Sequence, residues 1–392
     1  MDTKVCIIDN MIKELLISMV TIKCHFRVML NLIQHLIYFK RLRVKPAMTM
    51  CILRYQRLKV RAIYGIIALA LFTGCTKQDT YTMNPRTNFE ALWKIMDEKY
   101  CFFEYKQVDW NDVYRKYNVL LSDTMNQYAL FNFLGNMLAE LKDGHTNLIS
   151  SFNVARYWSW YEDYPPNFNS EVHKIYLGTE YLIAGGMKYR RLSNGQVGYI
   201  YYGSFSSGVG DNNLDYIFDH FKDCKGIIID VRENGGGSLT NSDRIASRFL
   251  EEKMTVGYIK HKTGPGHNDF SELYPIELSP SKRSRWLRPV VVLTNRHSFS
   301  ATNDFVSKMK MLPLVTIMGD RTGGGSGLPF NSELPNGWIV RFSASPMLDA
   351  NKQDTEHGID PDIKVSLTDA DILRGKDTLI EEAIKLLLEK SR

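Results

Sequence analysis

Residues 226–238 read Gly226-Ile227-Ile228-Ile229-Asp230-Val231-Arg232-Glu233-Asn234-Gly235-Gly236-Gly237-Ser238. The run from Gly226 to Val231 is short, isoleucine-rich and does not alternate, the pattern of a strand covered on both faces. Three glycines follow, where backbone N–H groups can point into a cavity with no Cβ in the way. Such donors stabilise an oxyanion or cradle a phosphate. No Gly-Lys-Ser/Thr follows and the spacing is not G-x-G-x-x-G, which disfavours the nucleotide-binding loops. By itself the segment also fits a flexible turn between strand and helix.

Outward from it, the buried-strand pattern recurs at Pro289–Thr294 and Leu314–Met318, and Val197–Tyr202 and Trp338–Ser343 read as further strands. Helical patterns fall at about Asn213–Lys222, Asn241–Glu251 and Ala301–Met311, with a last one over Thr378–Leu388. Strands alternating with helices predict an α/β (α+β) fold, a mixed and largely parallel sheet with flanking helices over 197–392. Residues 87–149 instead read as a helical subdomain. Phe89, Leu92, Trp93, Ile95 and Met96 keep helical spacing, with Thr87 and Glu90 as an expected capping box. A second helix covers Trp110–Val119. A third, about 126–142, carries Leu130, Phe133, Leu134, Met137, Leu138 and Leu141 on one stripe, which reads as core. Residues 150–196, aromatic-rich and broken by Pro165-Pro166, are expected to be an irregular linker.

The bulk numbers fit a globular protein: 392 residues, 44% hydrophobic and 23% charged, without internal repeat or low-complexity tract. The net charge of +6 is misleading as a whole, because residues 1–74 hold 12 of the 49 basic residues and 3 of the 43 acidic ones. The remainder is slightly acidic and gives no electrostatic argument for nucleic acid. Residues 48–75 have the order of an export signal: Arg54, Arg57, Lys59 and Arg61, an apolar run from Ala62 to Phe72 too short to span a bilayer comfortably, then Leu71-Phe72-Thr73-Gly74-Cys75. The Gly-Cys ending resembles a bacterial lipobox, with Phe72 where leucine is usual, so Cys75 is the expected lipidation point and the expected location is the cell envelope. Residues 1–47 are read as a start codon assigned too early or an extension, and 76–86 as a polar tether. Of six cysteines, removal of the signal leaves Cys101 and Cys224 as thiols, whose pairing stays open. No CxxC and no HExxH occurs, so no metal or cofactor is expected.

Three further segments carry candidate chemistry. Lys142-Asp143-Gly144-His145-Thr146 puts a histidine at the exit of a helix, where it is either catalytic or a surface residue. Thr294-Asn295-Arg296-His297-Ser298-Phe299-Ser300-Ala301 runs from a buried strand into a helix N-terminus, where the dipole favours developing negative charge. The logic is that of a nucleophile elbow without G-x-S-x-G, and helix capping by Ser298 or Ser300 is the plainer reading. Thr355-Glu356-His357-Gly358-Ile359-Asp360-Pro361-Asp362 is a charged, Gly- and Pro-punctuated loop that offers an acidic orienter for a histidine.

Taken in order, these segments resemble the tricorn and C-terminal-processing peptidase family of serine proteases over roughly residues 87–390. The motifs that carry the likeness are Asp230–Gly237, Ser298–Phe305, Gly319–Thr322 and Gly358–Asp362, with Gly375-Lys376-Asp377 leading into an apolar helix. The resemblance implies a core of the ClpP/crotonase-like kind and a serine peptidase acting on peptide or protein substrates. One branch of the family uses a Ser–Lys dyad. Here Gly325, in Gly319-Asp320-Arg321-Thr322-Gly323-Gly324-Gly325-Ser326-Gly327, occupies the place of that lysine. The tricorn-like branch uses a histidine from the helical region and an acid before the Gly-x-x-Pro-Asp segment, positions matched by His145 and Glu356. Ser300 aligns with the nucleophile and Ser298 is the fallback.

Many members insert a peptide-binding PDZ-like module of some 80–100 residues. Only about 45 residues separate Ser150 from Val197, too few for a complete one. The implied mechanism has His145 deprotonating Ser300, Glu356 orienting His145, and the N–H groups of Gly236 or Gly237 and of Ala301 holding the oxyanion. The alternatives are an inactive binding protein on the same fold and an esterase or amidase with the same triad.

Overall fold

Asn84 opens the first element of the computed structural model, which describes residues 81–389. Its side-chain oxygen accepts from the Thr87 amide at 2.8 Å and from the Thr87 hydroxyl at 3.0 Å. Asn84 is therefore the N-cap of α1 (Pro85–Lys99), with proline in the first turn. The expected box from Thr87 to Glu90 does not form, because the Glu90 carboxylate is taken by the Tyr114 hydroxyl at 2.9 Å. Helices α2 (Trp110–Leu120) and α3 (Gln127–Ala139) follow, capped by Asp109 and Asn126. The third helix stops short of 142, where Lys142 takes a positive φ of 46°. Phe89, Leu92, Met96, Trp110, Leu130, Leu134 and Met137 from these three helices are buried in one core. Each side chain so buried contributes roughly 1.5–3 kcal/mol of transfer free energy.

Two short strands, β1 (Asn147–Ile149) and β2 (Val154–Arg156), turn antiparallel against each other. The stretch expected to be irregular then holds α4 (Ser170–Leu177), β3 (Leu182–Ala184) and β4 (Met187–Leu192). Next come β5 (Val197–Tyr202), α5 (Asp211–His220), β6 (Gly226–Asp230) and α6 (Leu239–Ala246). After β7 (Met254–Ile259) and β8 (Tyr274–Leu278), the chain forms β9 (Val290–Thr294), α7 (Ala301–Lys310) and β10 (Val315–Gly319). It ends with β11 (Gly327–Glu333), β12 (Ile339–Leu348), β13 (Ile363–Lys364), α8 (Asp369–Leu373) and α9 (Thr378–Glu389).

A seven-stranded sheet runs β13-β10-β9-β6-β5-β4-β3, parallel from β13 to β5 and antiparallel from β5 to β3. This is the mixed, largely parallel sheet expected from the pattern. Its unalternating strands are explained by cover on both faces. Ile227, Ile229, Val290 and Val292 pack on one side with residues of α5, α6 and α7. Ile228, Val291 and Leu293 pack on the other with Leu379, Ile380, Ala383 and Leu387 of α9. A second, antiparallel sheet, β2-β1-β12-β7-β8 with β11 also on β12, was not foreseen. One of its faces, with Leu148, Val340 and Phe342, closes the helical core. Cys101 and Cys224 are free thiols. Among the described residues no helix is long and apolar enough to cross a membrane. The expected signal and lipid site, including Cys75, lie outside the described residues.

Candidate active site

Ser300 sits where β9 has ended and α7 begins, with φ 60° and ψ −120°. That backbone conformation is costly for a residue with a Cβ and persists only where its surroundings enforce it. Here they do so through the Ser300 amide, which donates to Gly324 O at 2.8 Å, and through Phe299, whose amide donates to Asn234 O at 3.1 Å. The turn lifts the Ser300 hydroxyl off the helix end, so it does not cap α7. Ser298, the fallback, is fully buried; its hydroxyl donates to Val231 O at 2.8 Å and accepts from the Asn295 amide at 3.2 Å. That hydroxyl is spent on joining two strand ends.

His145 Nε2 lies 3.0 Å from Ser300 Oγ. The two residues are 155 positions apart and come from different layers. The turn after α3 delivers the ring, and Asp143 holds that turn. Its Oδ1 accepts from the His145 amide at 2.7 Å, while its Oδ2 accepts from the Tyr100 hydroxyl at 2.8 Å and the Ser343 hydroxyl at 3.0 Å. Space at Gly144 is tight, since a Cβ there would lie 3.0 Å from Phe299 Cζ and from Trp160 Nε1. Phe299 in turn packs against His145 with ring centroids 4.8 Å apart.

Burial pushes the His145 pKa down to about 4; the Asp143 carboxylate pulls it up, and the cations of Arg341 and Lys106 push it down further. Desolvation of the imidazolium thus outweighs the attraction of the carboxylate. The ring is neutral at physiological pH and free to take a proton.

Glu356 is placed next to the site but turned elsewhere. Its Oε1 pairs with Lys106 Nζ at 2.9 Å and its Oε2 accepts from the Ser326 amide at 2.8 Å. The expected hydrogen bond from His145 to Glu356 is not formed; the Gly327 backbone also favours the charged ring, and the buried His145 Nδ1 has no well-formed hydrogen bond among the described residues. The physical reason is Lys106, a buried cation that the sequence reading did not single out and that needs a counter-charge. Burial opposes the charge on Lys106, yet Asp143 and Glu356 more than offset it and its pKa rises. Burial raises the Glu356 carboxyl to about 7, against the pull of Lys106.

The glycine loop faces the nucleophile. A Cβ on Gly236 would meet Phe299 O at 2.7 Å and Ser300 Cβ at 2.8 Å, so only glycine allows this approach. Of the three expected oxyanion donors, the Gly236 amide is occupied by Asn234 Oδ1 at 3.0 Å. The amides of Gly237 and of Ala301, the first residue of α7, have no acceptor among the described residues. Asn234 is the organiser that sequence reasoning missed. It also accepts from Thr302 Oγ1 at 2.8 Å and donates to Tyr202 O at 2.6 Å, tying loop, helix and strand together.

Gly325 has φ 77°, and a Cβ on it would lie 2.5 Å from the Phe299 ring and 3.1 Å from His145 Cε1. A lysine has no room there. The remaining motifs serve as frame: the Thr322 hydroxyl donates to Asn303 Oδ1 at 2.6 Å and accepts from the Ile359 amide at 2.7 Å, fixing the loop that carries Glu356. His297 faces Glu233 at 3.3 Å, away from Ser300.

Ser300 and His145 line a cavity of about 170 Å³ together with Gly237, Ala301 and Gly325. A hydroxyl, a neutral imidazole within reach of it and two amides without an acceptor among the described residues line one cavity, an arrangement compatible with acyl transfer. The family model of peptidase family S41 matches residues 196–365, and that of the tricorn protease C1 domain matches 82–139. A solved structure from Parabacteroides merdae ATCC 43184, provisionally named a peptidase, is 70% identical, with a TM-score of 0.76 over 78% of this chain and 98% of that one. The tricorn protease of Thermoplasma acidophilum is 29% identical over 51% of this chain and 17% of its own length. The carboxy-terminal processing protease CtpA of Bacillus subtilis is 25% identical over 46% of this chain and 37% of its own. The chain thus spans well under half the length of these curated relatives.

Proposed function

We propose that this chain, which belongs to peptidase family S41, hydrolyses peptide bonds through an acyl-enzyme on Ser300. The observation that carries the proposal is the 3.0 Å contact between His145 Nε2 and Ser300 Oγ at a strained helix N-terminus. His145 takes the hydroxyl proton as Ser300 attacks the scissile carbonyl, then passes it to the leaving amine; a water attacks the ester by the same route in reverse. The amides of Gly237 and Ala301 hold the tetrahedral oxyanion. Losing one such donor costs about 10²–10³ in rate. Asp143 is the carboxylate whose charge favours the imidazolium formed in the reaction. Glu356, engaged with Lys106 and Ser326, serves as a positioning residue for the loop that closes over His145.

A fluorophosphonate probe tests the assignment: it should label the wild type and fail on Ser300→Ala, with peptide turnover lost in parallel. Labelling that survives in Ser300→Ala would overturn Ser300 as nucleophile. The same reading places the protein in the cell envelope, tethered through a lipid on Cys75. Its support is the basic and apolar order of residues 54–75.

A further inference from the structure

Arg341 of β12 lines the same cavity as Ser300 and His145. The other two charged residues of that lining answer each other: Lys308 Nζ lies 2.6 Å from Asp304 Oδ2 and 2.6 Å from Asp243 Oδ1. The Arg341 guanidinium makes no ion pair or hydrogen bond among the described residues. The same cavity lining carries the apolar side chains Leu239, Val256, Ile276, Met347 and Leu348. Its charge nevertheless reaches the catalytic ring, lowering the proton affinity of His145.

The strand register explains why this cation stands unanswered. Arg341 pairs with Asn147 of β1 on one side and with Asn331 of β11 on the other, and Asn147 pairs with Arg156 of β2. Cross-strand partners point to one face. That face therefore carries the row Arg156, Asn147, Arg341, Asn331, two guanidiniums and two amides without an acid. Glu333, two residues along β11 from Asn331, forms no ion pair among the described residues. The opposite face of the same strands, with Leu148, Val340 and Phe342, is sealed in the helical core. A guanidinium is a rigid fork of donors matched to a carboxylate, and one without a counter-charge has strong reason to take one.

We propose that Arg341 is a specificity-determining residue that selects peptides presenting a carboxylate beside the scissile bond. The proposal rests on Ser300 and His145 being the peptidase site. The carboxylate has two sources, an acidic side chain flanking the bond or the α-carboxylate of the substrate's own C-terminus.

The test uses the full-length protein and matched peptides differing only as Glu against Gln on either side of one bond, and as free acid against amide at the C-terminus. Carboxylate peptides should be cut with kcat/KM roughly ten- to a hundredfold above their neutral isosteres, the range of a charge-assisted hydrogen bond. A Glu/Gln effect identifies the side chain as the source; a free-acid/amide effect identifies the terminus. In Arg341→Gln that ratio should fall to about one, Arg341→Lys should restore part of it, and Arg341→Glu should invert it. Equal rates on all wild-type pairs, or a ratio unchanged in Arg341→Gln, would overturn this proposal and leave the peptidase reading standing. A wild type that neither cuts any peptide nor labels with a fluorophosphonate would overturn both.

Discussion

The protein keeps His145 dry, and for the proposed base this sets the pH behaviour. Its charged form is disfavoured by burial and by the cations of Arg341 and Lys106, which together outweigh Asp143. A group that must be neutral to act, and whose pKa is depressed to about 4, loses function only as pH falls towards that value. The acidic limb of kcat/KM should therefore lie near pH 4, well below the ~6.5 of an ordinary histidine. A limb at or above 6.5 would contradict the burial argument. Lys106→Met removes a cation facing the ring, so the limb should move up in pH. The Glu356 carboxyl, raised to about 7, is already protonated where His145 titrates, so Glu356→Gln should leave the limb in place. Rate profiles of the two variants on one peptide check this, and a limb moved by Glu356→Gln as far as by Lys106→Met would sink the account. Gly325→Ala combines φ 77° with a Cβ 2.5 Å from Phe299. It should cost at least tenfold in kcat while circular dichroism stays unchanged; wild-type turnover would show that the ring has room to yield. At this scale Ser300, His145 and Gly237 were legible from motif and position. Lys106, Asn234 and Arg341 were not, since nothing local marks a lysine in Tyr105-Lys106-Gln107 as buried or an arginine on a strand as facing a cavity.

The elements meet at buried polar joints that the hydrophobic pattern does not report. Arg232, at the end of β6, is fully buried between Asp230 at 2.7 Å and Asp377 at 3.0 Å. Asp377 also caps α9, accepting from the Leu379 amide at 3.1 Å and the Ile380 amide at 3.2 Å. One carboxylate thus anchors the C-terminal helix to the sheet beneath the glycine loop. Asp377→Ala would leave a buried guanidinium half-compensated and the helix uncapped. The expected cost is about 3–5 kcal/mol, read as a lower urea midpoint at unchanged slope. A change below ~1 kcal/mol would mean that Asp230 alone satisfies Arg232. Most of the strands of the large sheet and the helices were readable because cover on both faces writes unbroken apolar runs into the sequence. The second sheet was not, because β1 and β2, which tie it to the helical part, are three residues each and give a periodicity of two nothing to repeat over.

For the whole molecule, the envelope reading is tested at Cys75. Cys75→Ser should release protein into the soluble fraction and abolish acyl labelling, whereas identical partitioning of variant and wild type into detergent would remove the anchor. The sequence by itself determined the family, the α/β class, the candidates for nucleophile and base, and the lack of a lysine at the place of a Ser–Lys dyad. Each of these is written in local motif, strand–helix alternation or the identity of a single residue such as Gly325. Only the tertiary structure decided the electrostatics: which carboxylate faces His145, which cation takes Glu356, and which arginine is left without a partner. Those outcomes depend on burial and on distances between residues far apart in the chain, as with His145 and Ser300, 155 positions apart yet 3.0 Å from atom to atom. Coulomb energy and desolvation follow those distances and that burial, and spacing along the chain carries no record of either.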